Sequence, residues 1–362
     1  MKIKIKTAVI CFFTTSKGGH GTAEVSLGLF KSIDGEKKLL EFKEERIKDR
    51  LILRNIKKFI FIFKSIFKLK KFFSKNKKNI IFIEGASWIG LSFLFLIFSK
   101  VLLNNTFIIY HAHNIEYEIR LKKNNLLIAF LTKILEKYVY SKSDIATSVS
   151  EYDRKKIKNL YNLNSYVFSN GVHSSRLKIK KINKIIPKDF YLYSGNYLYY
   201  PNKIALNELI KKLYPKIIKK YPSLYLIITG EGLPQKLIKN KKIIHFKFLK
   251  KENLNYLIKK AKFLLLPLQK APGTKLKVIE ALLIGTQIIT TKHGMRGIPV
   301  DNSSQPYVYK DNTQLFNFIN GLMKVNIKKN IKVKNSVEFY SKKFLLENIL
   351  KKIQLKYSKY LT

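Results

Sequence analysis

Short apolar runs alternate with amphipathic stretches along most of the chain. The apolar runs predict buried strands at 5–14, 79–84, 106–111, 144–150, 165–169, 189–194, 224–229, 243–248, 263–267 and 287–291. Apolar residues at helical spacing predict helices at 23–32, 126–141, 202–221, 254–262 and 275–283. Strands that alternate with helices indicate parallel sheets joined by right-handed crossovers.

The alternation lapses at residues 174–188, a Lys- and Ile-rich connection that contains Pro187. We therefore predict an α/β protein of two Rossmann-like, doubly wound domains at 1–175 and 188–335. A C-terminal helix at 336–362 follows, and whether it crosses back to the first domain is left open. The length of 362 residues fits two domains of about 150 residues each. Because ligands bind at the carboxyl ends of the strands in such sheets, we expect the two domains to face a common cleft.

The charge of the chain is strongly positive, with a formal net charge of +48 from 71 Lys and Arg against 23 Asp and Glu. Such a charge attracts polyanions. The preference for Lys over Arg, together with abundant Ile, Asn, Phe and Tyr, is typical of an AT-rich genome, so compositional drift explains most of it. No zinc-finger, helix-turn-helix or RNA-binding signature is present, and no specific nucleic-acid partner is expected. A basic nucleic-acid-binding protein stays an alternative.

Residues 47–73 combine Ile and Phe at helical spacing with intervening Lys, which predicts an amphipathic helix with a basic face. An anionic membrane surface and an ordinary solvated Lys face are equally consistent with this pattern. The apolar stretch at 8–13 is short, lacks a following cleavage site and is interpreted as a buried strand. A single cysteine, Cys11, suits a reducing cytoplasm, so we expect a cytoplasmic protein that is either free or peripheral on the inner face of the membrane.

Residues 263–298 carry the strongest chemical signal. A buried strand ends at Pro267, a loop carries Gly273-Thr274, and a helix begins near Lys275. Free backbone N–H groups at a helix start attract phosphate, and lysines there add positive charge. This arrangement is also compatible with a plain strand–helix–strand unit.

The run PLQKAPGTKLKVIEALLIGTQIITTKHGMRGI at 267–298 resembles the donor-binding signature of glycosyltransferase family 4. These are retaining enzymes of the GT-B fold, and the similarity is to the branch with a G-T-[RK]-x-K loop. Further matches follow in family order: the Gly-rich loop at 18–21, the HNIE motif at 113–116, DIATSVSEYD at 144–153, the Asn-Gly-Val turn at 170–172, and SGN at 194–196 with Pro-Asn at 201–202. The similarity extends over about residues 5–300.

The resemblance implies a glycosyltransferase that moves a hexosyl group from a nucleotide-sugar donor to a glycan or lipid-linked acceptor in cell-surface polysaccharide or lipopolysaccharide biosynthesis. His113 would act as the catalytic residue that faces the sugar, with His111 as the runner-up, and Phe248-Leu249 would flank the base. The residues implied for donor binding are Gly18, Gly19, His20, Gly195, Asn196, Gly273, Thr274, Lys275, Lys277 and Glu280. Among these, the lysines would hold the pyrophosphate and Glu280 the ribose.

Two departures from the family pattern keep an inactive or epimerase-type relative open. Pro272 stands where many members carry a Glu, and the loop after Gly195 lacks the Arg that some members use for phosphate. No D-x-D motif and no convincing histidine constellation occurs, so neither a metal nor a cofactor is expected. A partitioning-type ATPase is disfavoured because the loop at 16–22, SKGGHGT, lacks the Lys after its last Gly.

Overall fold

A computed structural model describes residues 5–15, 21–43, 51–74, 79–121, 126–269, 273–298, 306–324 and 342–361. The chain divides into two compact units. Unit 1 comprises Met1–Asn170 together with Lys342–Thr362, and unit 2 comprises Gly171–Ser341. The division lies just ahead of the 174–188 connection, and the C-terminal helix groups with unit 1.

Unit 1 combines strands and helices from the N-terminal half of the chain with one helix from the C-terminus. Its strands are β1 (Lys6–Cys11), β2 (Lys37–Glu41), β3 (Asn79–Gly85), β4 (Thr106–Ala112), β5 (Ile145–Ser148) and β6 (Tyr166–Val167). Its helices are α1 (Gly21–Ser32), α2 (Leu51–Phe72), α3 (Ile89–Leu102), α4 (Glu116–Leu121), α5 (Leu126–Lys142), α6 (Glu151–Tyr161) and, at the C-terminus, α12 (Lys342–Leu361).

The described strands of unit 1 form a parallel sheet in the order β2-β1-β3-β4-β5-β6. Strands β3 and β4 read as continuous apolar runs because helices cover both faces of the sheet. One face packs against α2, α3, α5 and α6, and the other packs against α1 and α12. The strand order reverses direction between β1 and β3, which is the flavodoxin-like pattern.

Unit 2 repeats the architecture with a different order. Its strands are β7 (Phe190–Ser194), β8 (Tyr225–Thr229), β9 (Ile243–Phe246), β10 (Leu264–Leu266), β11 (Ile288–Thr290) and β12 (Tyr307–Val308), and its helices are α7 (Tyr200–Glu208), α8 (Tyr214–Lys220), α9 (Lys251–Lys260), α10 (Leu276–Ile284) and α11 (Asn312–Lys324). The described strands pair in the order β12-β11-β10-β7-β8-β9. This is the Rossmann order, whose direction reverses between β7 and β10.

The predicted fold class is confirmed, since each unit is a doubly wound α/β sheet. Ser150 is the N-cap of α6, because its side chain accepts a hydrogen bond from the Asp153 N–H at 3.1 Å. The edge strand β2 is not evident in the hydrophobic pattern, because two of its five residues are lysines. Among the described residues, no helix combines the length and the apolarity needed to cross a bilayer.

Candidate donor site and a buried acid–histidine cluster

The predicted donor-binding residues of unit 2 lie where its strand order reverses. Gly195 follows β7, and residues 273–275 lead into α10, which follows β10. Strands β7 and β10 are hydrogen-bonded neighbours with Leu192 paired to Leu264. The segments after these two strands therefore meet at one edge of the sheet, where ligands of such folds bind.

Lys277 connects α10 to the end of β7 and to α7. Its Nζ donates to the Ser194 carbonyl at 2.6 Å and to Asn202 Oδ1 at 3.0 Å. Burial lowers the pKa of the Lys277 ammonium to about 7, and nearby Lys275 adds to the lowering. The ammonium is thus held at the carboxyl end of β7 in a setting that favours loss of its proton.

Glycines at the ends of β7 and β8 allow Lys277 and the neighbouring backbone to approach closely. A Cβ built on Gly195 would lie 2.8 Å from Lys277 Nζ, and a Cβ on Gly230 would lie 2.3 Å from the Gly195 carbonyl oxygen. Gly230 also has a φ of 130°, a conformation that favours glycine. Any larger residue at either position would push the lysine or the backbone away from the site.

Two asparagines fix the turn after β7. Asn196 Oδ1 accepts from the Leu198 N–H at 2.8 Å, so this exposed side chain caps its own turn. Asn202 Nδ2 donates to the Asn196 carbonyl at 2.9 Å, while Asn202 Oδ1 accepts from Lys277. Of the two, Asn202 is the one that contacts the predicted phosphate-binding lysine, although only Asn196 is among the predicted donor residues.

The loop into α10 places a second lysine close by. Gly273 has a φ of 68°, in the left-handed region, and its carbonyl accepts from Lys275 Nζ. Lys275 is buried at the N-cap of α10 and makes no side-chain capping hydrogen bond. Burial, together with the charge of Arg296, lowers the pKa of Lys275 to about 8. Thr274 Oγ1 is directed to the Gly297 carbonyl at 3.5 Å, the outer limit of a hydrogen bond.

Glu280, predicted to hold the ribose, is buried in α10 and already has two cationic partners. Arg176 donates through Nε and Nη2 to Oε1 at 3.0 and 2.9 Å, and Lys251 Nζ donates to Oε2 at 2.6 Å. An ionised carboxylate offers about four lone-pair sites, so three donors leave capacity for one more hydroxyl. Neither cation is evident from the sequence, because they lie 104 and 29 residues from Glu280.

In unit 1, the predicted catalytic residue His113 is paired with a carboxylate. His113 Nε2 lies 2.8 Å from Glu84 Oε2, and both side chains are buried. Ser26 Oγ donates to the same carboxylate oxygen. Burial alone would raise the pKa of the Glu84 carboxyl, but His111 and His113 and the hydrogen bonds lower it to about 2. Glu84 is therefore ionised and accepts only, which makes His113 Nε2 the donor.

His111 lies beside this pair and is in contact with it. Its ring centroid is 4.8 Å from that of His113, and its Nδ1 lies 2.8 Å from Thr147 Oγ1. Burial lowers the pKa of His111 well below its usual range, so the ring is neutral near pH 7. Within the described part of the chain, His111 Nε2 and Glu84 Oε1 are buried without a hydrogen-bond partner.

Lys342, the first residue of α12, completes the cluster. It is fully buried, and its Nζ lies 3.5 Å from the centroid of the Phe168 ring. Burial lowers the pKa of Lys342 to about 7, although the negative charge of Glu84 opposes this lowering. Nothing in the sequence around Lys342 predicts that this residue is buried beside the histidine cluster.

The group of Glu84, His111 and His113 could also hold a metal ion, because one ligand atom from each residue lies within 4.8 Å of the others. Glu84 Oε2 already accepts from His113 and Ser26, whereas Glu84 Oε1 and His111 Nε2 have no hydrogen-bond partner among the described residues. Metal independence stays a prediction. Gly18, Gly19 and His20 lie outside the described residues, as does Pro272.

Sequence and structure comparisons place these sites in context. Residues 189–324, within unit 2, match the model of a family described as glycosyl transferases group 1. A comparison with curated proteins found no matching sequence.

Solved structures resemble nearly the whole chain. Sucrose-phosphate synthase from Thermosynechococcus elongatus is 13% identical with a TM-score of 0.66, and 98% of each chain is covered. Anabaena HepE in complex with UDP is 13% identical with a TM-score of 0.63, over 98% of this chain and 100% of HepE. An E. coli trehalose-6-phosphate protein bound with UDP-2-fluoro glucose is 10% identical with a TM-score of 0.62, over 96% of this chain and 99% of that one.

At these identities the likeness establishes the fold. The fold of the chain is GT-B, and the match within unit 2 supports a glycosyltransferase.

Proposed function

We propose that this protein is a retaining, metal-independent glycosyltransferase of family 4 that transfers a hexosyl group from a nucleotide-sugar donor. The observation that carries the proposal is Lys277, whose partly buried ammonium lies where the strand order of unit 2 reverses. The match of residues 189–324 to group 1 glycosyl transferases supports the same conclusion.

The donor pyrophosphate binds between the N-terminus of α10 and the end of β7. Lys275 and Lys277 supply positive charge, and the first N–H groups of α10 supply hydrogen-bond donors. As the glycosidic bond to the diphosphate breaks, negative charge develops on the leaving oxygen. Cations already held at that position stabilise the charge without reorganisation, which is the task that a metal performs in other enzymes. Glu280 accepts a hydrogen bond from a ribose hydroxyl through its remaining lone pair.

In unit 1, His113 faces the transferred sugar and Glu84 is its positioning residue. Because Nε2 donates to Glu84, Nδ1 is the ring atom that interacts with the substrate. The carboxylate fixes the orientation of the ring, so His113 holds the sugar in position while the oxocarbenium-like transition state forms and the diphosphate leaves. The acceptor is a glycan or a lipid-linked saccharide of cell-surface polysaccharide synthesis, and the protein acts in the cytoplasm.

Titration calorimetry tests the donor site. UDP, GDP, ADP and CMP are added to the wild type and to Lys277→Ala and Glu280→Ala variants at one salt concentration. HepE and the E. coli trehalose-6-phosphate protein were solved with UDP or a UDP sugar, so UDP is the first nucleotide to measure. We expect one nucleotide to bind selectively and both variants to weaken it.

The matched control is Lys203→Ala, which removes the same charge from an exposed lysine beside Asn202. Equal binding of all four nucleotides, unchanged in every variant, would mean that bulk charge attracts phosphates and would overturn the proposal. Selective binding without transfer to any acceptor would instead favour the inactive or epimerase-type relative.

A further inference from the structure

Helix α5 of unit 1 exposes an apolar face that nothing in the described structure covers. Leu127 is 70% exposed, Phe130 61% and Ile134 51%, and these residues recur at helical spacing. The opposite side of α5 is buried through residues such as Ala129 and Val139. A soluble helix normally turns its apolar side to the core and its polar side to solvent, whereas α5 is apolar on both sides.

Helix α2 repeats this feature in the same layer. Ile62, Ile66 and Leu69 are buried against the sheet, while Ile56 and Phe67 are exposed. Helix α2 packs against α3, and α3 packs against α5. All three helices cover one face of the sheet, so their outer sides form one continuous surface of unit 1.

Among the described residues of α2, α3 and α5, the exposed charge has one sign. Helices α2 and α3 contain no Asp or Glu, and the one acidic residue of α5, Glu136, is buried. Exposed basic residues lie along the same helices at Lys57, Lys64, Lys68, Lys70, Lys71, Lys100, Lys137 and Lys142. Compositional drift toward Lys, Ile and Phe spreads such residues over the whole chain, but it does not group exposed Leu, Ile and Phe with lysines on neighbouring helices of one layer.

We propose that α2, α3 and α5 form a docking surface for an anionic lipid bilayer. Exposed Leu, Ile and Phe side chains enter the boundary between headgroups and acyl chains, and the lysines pair with anionic headgroups. A protein partner fits less well, because the centres of protein interfaces are depleted of Lys. The amphipathic pattern of 47–73 alone leaves a membrane face and a solvated face equally open, and the exposed apolar side of α5 decides between them.

The docking surface does not depend on the transferase chemistry and is tested without a sugar donor. The probe is co-sedimentation with phosphatidylcholine vesicles, with and without phosphatidylglycerol. We expect binding to the anionic vesicles, weaker binding to the neutral ones, and partial loss at high salt. The double variant Leu127→Ser/Phe130→Ser should reduce binding to anionic vesicles by about tenfold or more.

The control variant is Ile185→Ser, which removes a fully exposed apolar residue of unit 2 and should bind vesicles as the wild type does. Thermal unfolding and nucleotide binding of each variant show whether the fold and the donor site are intact. Vesicle binding that the double substitution leaves unchanged would overturn the proposal and assign the effect to bulk charge. Absence of vesicle binding, with a dimer that the double substitution dissociates, would overturn it in favour of a second copy of the chain.

Discussion

The two units share a doubly wound architecture but hold opposite charges at their strand ends. In unit 2, Lys275 and Lys277 lie near each other, and burial lowers the pKa of each ammonium. In unit 1, the Glu84 carboxylate is buried with His113, and its pKa is lowered to about 2. The cations of unit 2 gain a counter-charge when an anion binds, whereas the carboxylate of unit 1 already has its partner. This difference agrees with the proposed roles, in which the lysines of unit 2 bind the diphosphate and His113 of unit 1 contacts the sugar.

The largest effect is expected on nucleotide affinity when the site in unit 2 is changed. Lys277→Ala should weaken binding of the selected nucleoside diphosphate about 10- to 100-fold, because a hydrogen bond to a charged group contributes about 1.5–3 kcal/mol. Titration calorimetry measures the change, with Lys203→Ala as the charge-matched control. Equally weakened nucleotide binding in Lys277→Ala and Lys203→Ala would mean that surface charge, and not a specific site, binds the nucleotide.

Glu84→Gln should act on the rate and leave donor affinity unchanged. The amide keeps the size of the side chain but removes the charge that orients His113, and we expect kcat to fall about 10- to 100-fold. Steady-state kinetics with the identified donor, together with calorimetry of nucleotide binding, separates these effects. A loss of nucleotide affinity as large as the loss of kcat would contradict the division of roles.

The pH dependence of nucleotide binding should carry the signature of Lys277. Its pKa in the free protein is lowered to about 7, and a bound diphosphate favours the protonated form and raises that pKa. Binding therefore takes up a proton, is strongest below pH 7, and weakens by up to about tenfold per pH unit above it. Calorimetry in buffers of different ionisation enthalpy measures the uptake. Lys277→Arg, which stays protonated, should flatten the profile above pH 7.

Buried Lys342 should make the stability of unit 1 depend on pH. Its pKa is lowered from 10.5 to about 7 in the folded protein, so between these values the unfolded chain binds more protons. Stability then rises with pH across this window, by at most about 1.4 kcal/mol per pH unit, and the contribution is constant below pH 7. Denaturant unfolding of the wild type and of Lys342→Met from pH 7 to 10 checks the sign. An equally steep rise in the variant would assign it to other groups.

Chelation should have the smallest effect. If the lysines of unit 2 replace a metal, EDTA leaves kcat unchanged, and added Mn²⁺ or Zn²⁺ does not raise it. The measurement bears on Glu84, His111 and His113, because these residues could bind an ion. Loss of activity on chelation that His111→Gln reproduces would reverse the interpretation of unit 1.

Sequence patterns reveal the fold and the donor motif more readily than the contacts that complete the sites. Apolar runs and helical spacing predict the central strands of both sheets because these strands are buried on two faces, whereas the edge strand β2 contains lysines and does not show the pattern. Lys277 and Glu280 belong to one contiguous motif and are visible at once. Arg176 lies 104 residues from Glu280, and no local pattern indicates that pair.

The same limit applies to surfaces and to distant helices. Residues 126–141 are apolar around most of the helix, so the periodicity predicts a helix but not which side faces solvent. Lys342 lies 173 residues from Ser169, whose carbonyl it faces at 3.4 Å. Both features depend on tertiary packing, which a single sequence does not encode locally.

The most direct test of the account compares Lys277→Ala with His113→Ala in one experiment. Binding of the selected nucleoside diphosphate is measured by calorimetry, and sugar transfer is measured with the same protein samples. The account predicts that Lys277→Ala loses nucleotide binding, while His113→Ala keeps it and loses transfer. Nucleotide binding that survives in Lys277→Ala and disappears in His113→Ala would contradict the assignment of the diphosphate to unit 2 and of the sugar chemistry to unit 1.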